Sequence, residues 1–278
     1  MALFITSLNS GSNGNCYYIG NGQEAILIDA GLSCRETVKR MNDLKLSMDR
    51  VRALFISHEH RDHITGAAQL SKQYRMPVYI LPDTLKNADM RIEPTLKHNF
   101  SANEKTVVGS MTVMPFVKHH DAADPVSFVV EYDGIKIGVF TDIGKVCKTV
   151  IHYFRQCHAC FLESNYDLQM LEEGGYPLHL KKRISGGKGH LSNSEALELF
   201  LKYKPPYMSH LLLSHLSANN NHPAIVEELF TKHSGTVKII VAPRTGSTAV
   251  FKVERPQEER CEIIPLSASK ETVQLAMF

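Results

Sequence analysis

The chain has 278 residues, of which 43% are apolar, enough to bury the core of one large domain. Its 31 basic residues nearly balance its 29 acidic ones, so the overall field is too weak to attract a polyanion or an anionic membrane. The amino-terminal apolar run is too short for a signal peptide, and no run reaches the length of a membrane span. We therefore expect a folded protein without a membrane anchor, in which any attraction for nucleic acid is local.

The six cysteines are sparse for a chain of this length and do not form the dense framework of a small secreted scaffold. This usage indicates a reducing, cytoplasmic setting. Cys157 and Cys160 have the spacing of a redox or zinc pair, but they enter an apolar strand and lack a second pair. We interpret them as buried structural thiols.

Short apolar runs in the first half of the chain predict strands. They lie at residues 3–8, 16–19, 25–29, 53–57, 78–81, 106–116, 127–132 and 135–141. Asn21-Gly22 and Asp133-Gly134 each separate two such runs and predict hairpins. We therefore expect the early part of the chain to be largely antiparallel.

Helical periodicity predicts helices at residues 33–41, 66–74, 192–202 and 223–233, the third of them capped by Ser192 or Ser194. The stretch 168–189 shows no clear periodicity, and we interpret it as an ordered functional loop. Strands and helices alternate in blocks, which predicts a single α/β domain over residues 1–266. The polar stretch that follows predicts a flexible tail over residues 267–278.

A dense group of metal-binding side chains follows the predicted strand 53–57. The run 58–63, HEHRDH, places three imidazoles and two carboxylates within six residues. Imidazole nitrogens and carboxylate oxygens suit borderline divalent ions such as zinc or manganese. His58 and His60 can face one ion from the end of an extended segment, whereas Asp62 and His63 can reach a second from the following turn. The spacing predicts two adjacent metal sites.

This motif resembles the signature of the metallo-β-lactamase superfamily, and the resemblance continues along nearly the whole chain. Asp29, in LIDAG, resembles the aspartate that supports the ligands from behind, and His120, Asp142 and His215 resemble the remaining ligands. The resemblance implies a four-layer αββα sandwich that holds two divalent ions. The implied ligands are His58, His60 and His120 for one ion, Asp62, His63 and His215 for the other, and Asp142 for both.

His119 is an alternative ligand, because it adjoins His120 and would face the site if the strand register differed by one residue. The family pattern has the ligand directly before Asp-Ala, as in Asp121-Ala122. Strand alternation then directs His119 to the opposite face. We therefore expect His120 to be the ligand.

Two further segments resemble particular branches of the superfamily. The stretch FLESN, which contains Glu163, resembles the glutamate-bearing loop of ribonuclease Z, and GHLSN, which contains His190 and Asn193, resembles its Gly-His-Ser-Thr loop. Both stretches, with the opening loop SGSNGN, also resemble the YycJ-like (WalJ) branch, whose members are described as metal-dependent exonucleases acting on DNA 5′ ends. The resemblance implies a phosphodiesterase that acts on DNA and is linked to DNA repair.

The resemblance also implies roles for three catalytic side chains. A hydroxide held between the two ions would attack the phosphorus, with Asp62 holding and deprotonating the water from which it forms. His190, oriented by Glu163, would donate a hydrogen bond or a proton to the charge that develops. A basic set precedes His190 and is either solvated or in contact with substrate phosphates; its position favours contact. The candidate substrate-binding residues are Lys181, Lys182, Arg183, Lys188 and Asn193.

Two other functions compete with this reading. A hydrolase of a small thioester, lactone or cyclic nucleotide could use the same metal core, and it would not need the basic set. A non-catalytic metal-binding adaptor in a repair complex is disfavoured by the complete ligand set together with His190. A structural metal site needs no open water position and so has no use for His190. Gly11 and Gly14 resemble a phosphate loop, but no Gly-Lys-Ser or Gly-Lys-Thr follows, which favours a tight turn near the metals over an ATP site.

The extreme carboxyl terminus resembles the short Gln-Leu-x-Leu-Phe peptides by which bacterial replication and repair proteins dock on the DNA sliding clamp. Leu275, Met277 and Phe278 would fill an apolar groove, and Gln274 would supply a directional hydrogen bond. The alternative is that these apolar side chains pack onto the parent domain. We expect the clamp contact, which would concentrate the protein at DNA.

Overall fold

Two seven-stranded sheets form the centre of the molecule. The structure is a computed structural model and describes residues 1–255. In spatial order, the first sheet contains β14 (Phe251–Glu254), β1 (Ala2–Asn9), β2 (Cys16–Gly20), β3 (Ala25–Ile28), β4 (Val51–Phe55), β5 (Val78–Ile80) and β6 (Lys97–Asn99). The second contains β13 (Lys238–Val241), β12 (His210–Ser214), β11 (Ala159–Glu163), β10 (Ile135–Phe140), β9 (Val126–Tyr132), β8 (Met111–Val117) and β7 (Thr106–Val108).

Each sheet has an antiparallel part and a parallel part. The hairpins predicted at Asn21-Gly22 and Asp133-Gly134 join β2 to β3 and β9 to β10. Asp133 and Gly134 both have positive φ, 48° and 73°, which a two-residue hairpin turn favours. The expectation of a largely antiparallel early part is wrong for β3 to β6, which are parallel. Helical crossovers separate these strands, and a crossover returns the chain in the same direction.

Helices cover the outer faces of both sheets. α1 (Cys34–Asp43), α2 (Arg61–Ile64), α3 (Ala67–Tyr74) and α4 (Pro82–Asn87) follow strands of the first sheet. α5 (Lys148–Phe154), α6 (Leu168–Glu173), α7 (Leu178–Ser185), α8 (Asn193–Tyr203) and α9 (Pro223–Thr231) accompany the second. The four predicted helices are confirmed as α1, α3, α8 and α9. Ser192 caps α8, because its side chain accepts from the Glu195 amide while the Glu195 carboxylate accepts from the Ser192 amide.

Three apolar cores separate these layers. The central core lies between the sheets, where Phe55 of β4 meets Phe128 of β9 with ring centroids 5.8 Å apart. A second core, which includes Leu70, lies under α1 and α3, and a third, which includes Phe200, lies under α5, α8 and α9. The order helix, sheet, sheet, helix is the predicted four-layer sandwich.

Two local predictions are corrected. The stretch 106–116 is two strands, β7 and β8, because the chain reverses at Gly109, whose φ of 59° suits a tight turn. The stretch 168–189 is not a loop, since it contains α6 and α7. These helices have only six and eight residues, too few to show a clear apolar period. Asp167 starts α6 by accepting from the Met170 amide, and Pro177 directly precedes α7.

Cys157 and Cys160 are fully buried in the core under α5 and α8, and burial raises the pKa of both thiols. Their structural role is confirmed. Within residues 1–255, no helix combines the length and the apolar character needed to cross a membrane. The domain boundary predicted at residue 266 and the tail 267–278 lie outside the described residues.

Candidate metal centre and active site

The candidate site lies where the strands of the two sheets end. Asp29 follows β3, Asp142 follows β10 and His215 follows β12. The carboxyl ends of parallel strands meet at one edge of a sheet, which is where side chains can converge. These three residues have φ values of 60°, 55° and 58°. Non-glycine residues rarely adopt this left-handed conformation, which costs about 1–3 kcal/mol at each position and recurs at functional sites.

His58, His60 and His120 form the first ligand group. Their candidate ligand atoms all lie within 4.8 Å of one another. The Nδ1 atom of His60 lies 3.1 Å from His58 Nε2 and 3.3 Å from His120 Nε2. Burial lowers the pKa of His58 well below its ordinary value and that of His120 to about 4. Near neutral pH these two imidazoles are therefore uncharged, the form that binds a metal.

Asp62, His63 and His215 form the second ligand group. Asp62 Oδ2 lies 3.5 Å from Nε2 of each histidine. Burial acts to lower the pKa of both histidines, but Asp142 and the other nearby carboxylates outweigh it. The pKa of His63 is raised well above its ordinary value and that of His215 to about 10. The carboxylates stabilise positive charge at this position, and either protons on the histidines or a divalent cation can supply that charge.

The Asp62 carboxyl group is itself held ionised. Burial acts to raise its pKa, but the charge of His63 and the proximity of His215 outweigh burial, and the pKa is lowered. Asn15 Nδ2 also donates to Asp62 Oδ2 at 3.2 Å. The loop that carries Asn15 approaches this closely because Gly31 has no side chain. A Cβ at Gly31 would lie 1.7 Å from the Asp62 carbonyl oxygen, so only glycine fits there.

Asp142 lies between the two ligand groups. Its Oδ2 is 3.2 Å from His63 Nε2, and its Oδ1 is 3.4 Å from His215 Nε2 and 3.8 Å from His120 Nε2. Within residues 1–255, Asp142 Oδ2 and His215 Nε2 are buried without a hydrogen-bond partner. Such atoms are rare and each costs roughly 1–3 kcal/mol unless a ligand binds them. The orphaned atoms and the mixed imidazole and carboxylate set both fit divalent ions.

Asp29 supports both ligand groups from the buried side. Its Oδ2 accepts from His63 Nδ1 at 2.7 Å and from the Ser57 hydroxyl at 2.8 Å. The same hydroxyl lies 2.9 Å from His58 Nδ1. Asp29 therefore orients His63 directly and His58 through Ser57, the kind of support that fixes the ring and tautomer of a ligating histidine.

His190 and Glu163 form a pair beside the ligand groups. His190 Nδ1 lies 2.7 Å from Glu163 Oε1, while Glu163 Oε2 accepts from the backbone amides of Ile143 and Leu191. Burial acts to raise the pKa of Glu163, but the charge and hydrogen bond of His190 outweigh it and lower that pKa to about 2. Glu163 is thus an ionised, fully bonded anchor. The His190 ring stacks near that of His215, with centroids 5.1 Å apart.

Burial distinguishes the two neighbouring histidines, which follow the end of β8. His120 is buried in the cluster and its Nδ1 lies 3.0 Å from the Gly189 carbonyl oxygen, whereas His119 is exposed. All seven side chains predicted as ligands come together, as do Glu163 and His190.

Asn193, predicted to contact substrate, does not face the site. Its side chain is buried, and its Oδ1 accepts from the Ser164 hydroxyl at 2.7 Å and from Asn221 Nδ2 at 2.8 Å. Its own Nδ2 donates to Asn221 Oδ1 at 3.0 Å. The amide is therefore fully used in bracing the loops around Glu163, and the prediction is wrong for this residue.

The basic set near His190 divides into two pairs. Arg183 Nε lies 2.6 Å from Asp121 Oδ2, and Lys181 Nζ donates to the Glu172 carbonyl oxygen at 2.6 Å. Lys182 and Lys188 are exposed and form no ion pair within the described part of the chain. Asp121 therefore neutralises Arg183, Lys181 is held by a neutral carbonyl, and Lys182 and Lys188 are free of both kinds of contact among the described residues.

Three polar residues at the site went unnoticed in the sequence. Asn165 Nδ2 donates to the backbone carbonyl of His215 at 2.7 Å, and Lys118 is buried with its Nζ donating to the Thr141 carbonyl oxygen at 2.7 Å. Arg244 contacts the loop that follows His215. Asn165 stands in the FLESN stretch and could have been found there. Lys118 and Arg244 carry no local signal, because only tertiary packing brings them to this edge.

Two face-to-face mixed sheets between helices, with a histidine and aspartate cluster at the strand ends, characterise the metallo-β-lactamase class of metal-dependent hydrolases. Residues 24–216 match the family model described as the beta-lactamase superfamily domain. The chain therefore belongs to this superfamily, and it is a metal-dependent hydrolase.

Individual relatives cover most of the chain. It is 33% identical over 224 residues to the exodeoxyribonuclease YycJ of Bacillus anthracis, covering 80% of this chain and 85% of that protein. It is 29% identical over 251 residues to the exodeoxyribonuclease WalJ of Streptococcus pneumoniae, covering 88% and 91%. Among solved structures, the metallo-β-lactamase-fold protein YhfI of Bacillus subtilis superposes with a TM-score of 0.71 at 16% identity, over 90% of this chain and 99% of that one.

Proposed function

We propose that this protein is a binuclear metal-dependent phosphodiesterase that degrades DNA from its 5′ end and serves DNA repair. The observation that carries the proposal is the His190–Glu163 pair, which stands beside two adjacent ligand groups with His190 Nδ1 3.8 Å from Asp142 Oδ1. The site thus combines places for two cations with a proton donor. The similarity to proteins named exodeoxyribonucleases supports DNA as the substrate.

We propose zinc or manganese as the native ions. Two ions held by these groups would supply the Lewis acidity and the activated water that phosphodiester hydrolysis needs near neutral pH. Asp62 remains a carboxylate and can accept a proton from the attacking water. Glu163 accepts the Nδ1 hydrogen bond of His190 and so orients the ring, which leaves Nε2 to donate to the leaving oxygen.

We assign the long-range attraction for DNA to Lys182 and Lys188. Both are exposed in the segment that leads to His190 and are free of ion pairs within residues 1–255. Exposed lysines neutralise neighbouring phosphates and add affinity that falls with salt concentration. A net charge of only +2 leaves this attraction to local groups.

The test is to incubate protein loaded with zinc or manganese with 5′-labelled and 3′-labelled DNA and RNA, in duplex and single-stranded form, and to size the products. We expect the 5′ label to be released first and the 3′-labelled DNA to shorten progressively, with all activity lost in EDTA. Cleavage of a small chromogenic diester without any degradation of DNA would overturn the proposal and favour a small-molecule hydrolase.

We also propose that the carboxyl-terminal peptide docks on the DNA sliding clamp through Gln274, Leu275, Met277 and Phe278. The order of these residues in the sequence supports the proposal. The test is a binding titration of a peptide spanning residues 267–278 against purified clamp, with Gln274→Ala and Phe278→Ala as controls. Absence of binding at high micromolar concentration, or equal binding by both control peptides, would refute it.

A further inference from the structure

Arg244 is tied to two loops at the edge of the candidate site. Its Nη1 donates to the Leu216 carbonyl oxygen at 2.5 Å, and its Nη2 donates to the Ser12 hydroxyl at 3.3 Å. Leu216 directly follows His215, a proposed ligand. The guanidinium group is therefore held in a defined position next to the second ligand group, although Arg244 lies far from these residues in the sequence.

The charge of Arg244 lacks an acidic partner within residues 1–255. Its described hydrogen-bond acceptors, a carbonyl and a hydroxyl oxygen, are both neutral. Burial lowers the pKa of Arg244, as expected for a cation withdrawn from water without a compensating anion. Arg183, which lies near His190, differs because Asp121 neutralises its charge. A partly desolvated guanidinium with neutral partners gains most from an anionic ligand.

The two residues that accept hydrogen bonds from Arg244, Ser12 and Leu216, line a cavity of about 210 Å³ that reaches His190 and His215. The neutral partners of Arg244 and the histidines of the site line the same space, together with aromatic and apolar side chains. The lining residues include Ser12, Leu216, His190, His215, Tyr176 and Leu180. Asn219 Nδ2 donates to the Tyr176 hydroxyl at 2.8 Å and so restrains the ring, whose face suits a sugar or a base.

We propose that Arg244, assisted by the Ser12 hydroxyl, binds a second phosphate of the substrate, adjacent to the phosphate that reacts. This inference rests on the proposed function and deepens it. A guanidinium group presents several N–H donors in one plane and matches phosphate oxygens. Fixing the neighbouring phosphate restricts where the reacting one can lie, so that it meets His190 in a productive position.

The test compares the binding of two nucleotides that differ only in a second phosphate, thymidine 5′-monophosphate and thymidine 3′,5′-bisphosphate, to the full-length protein loaded with metal. In the unaltered protein we expect the second phosphate to tighten binding about tenfold or more. Arg244→Gln should abolish this gain, and Arg244→Lys should retain part of it. The matched control is Arg50→Gln, because Arg50 Nη1 donates to the Gly22 carbonyl oxygen at the far end of β2 and should leave the gain intact.

The ratio of the two affinities separates the subsite from general damage, since a misfolded variant would bind both nucleotides poorly and lose its cooperative thermal melt. An undiminished gain in folded Arg244→Gln overturns this inference, and if that protein still degrades DNA the proposed function stands. Loss of the gain supports the inference. If the unaltered protein then fails to degrade DNA, the proposed function is overturned while the phosphate subsite remains.

Discussion

The two ligand groups lie side by side but differ in charge. The first contains only imidazoles, and burial keeps His58 and His120 neutral. The second adds the Asp62 carboxylate. Asp142 raises the pKa values of both its histidines, His63 and His215, and Asp29 adds to the rise at His63. The first group therefore offers two neutral imidazoles at once, His58 and His120, whereas the second must exchange protons for a cation.

The difference in charge suggests that the two ligand groups have different roles in one site. Neutral imidazoles hold an ion without any change in protonation, which suits a permanently occupied position. The carboxylate-rich group concentrates negative charge beside His190 and supplies Asp62, the group placed to accept a proton. We infer that the first group anchors the centre and that the second prepares the nucleophile.

The largest effect is expected from removing the second group. Asp62→Ala and His63→Ala should each abolish hydrolysis and lower bound metal toward one ion per chain, because each removes a proposed ligand of the same ion. The matched variant is His60→Ala, which removes a ligand of the other ion. Hydrolysis assays with elemental analysis and thermal melts check this, and full activity in either second-group variant would rule out the two-ion mechanism.

The next effect separates chemistry from metal binding. Asp142, Glu163, His190 and His215 also lie close enough to form a ligand set of their own. If His190 is instead a proton donor, His190→Ala should lower turnover about a hundredfold while both ions stay bound. Elemental analysis and the turnover rate, measured on the same variant, show whether His190 is a proton donor or a metal ligand. A variant that loses metal identifies His190 as a ligand and removes the assigned role of His215.

The contrast also predicts an effect of pH on metal content. The pKa of His215 is raised to about 10 and that of His63 well above its ordinary value. An ion must therefore displace a proton from each, and affinity at the second group should fall by up to about a hundredfold per pH unit on acidification. At the first group, His120 has a pKa of about 4, so it is neutral at any pH well above 4 and releases no proton when an ion binds. Isothermal titration with zinc at several pH values should show one pH-sensitive and one nearly pH-insensitive site. Equal pH dependence at both sites would contradict the contrast.

The smallest effect is expected outside both groups. Replacing Lys182 and Lys188 with Ala should raise the KM for long DNA several-fold and reduce the salt dependence, because two exposed charges are lost. Lys232→Ala provides a control, since Lys232 is exposed but paired with Glu228 at 2.7 Å. Steady-state kinetics over a range of salt concentrations checks the prediction, and an unchanged salt slope would mean that Lys182 and Lys188 are merely solvated.

Much of the candidate site could be predicted because its signals are local. Four proposed ligands stand within the run 58–63, and the family pattern, in which the ligand directly precedes Asp-Ala, favoured His120 over His119. The hairpin at Asp133-Gly134 and the cap at Ser192 follow from the conformational preferences of a few adjacent residues. Such features depend on the nearest neighbours in the chain, so they can be found without the fold.

The rest was decided by packing between distant segments. The sequence predicted that Asn193 contacts substrate, but in the folded chain Ser164 and Asn221 donate to its side-chain amide oxygen. The charge of Arg183 is neutralised by Asp121, whereas Arg244 is held by neutral acceptors at the edge of the site. Whether a polar side chain is free depends on which groups surround it after folding, and those groups come from remote parts of the chain. The sequence therefore determined the metal-binding chemistry, and the tertiary structure decided which charges remain available for a substrate.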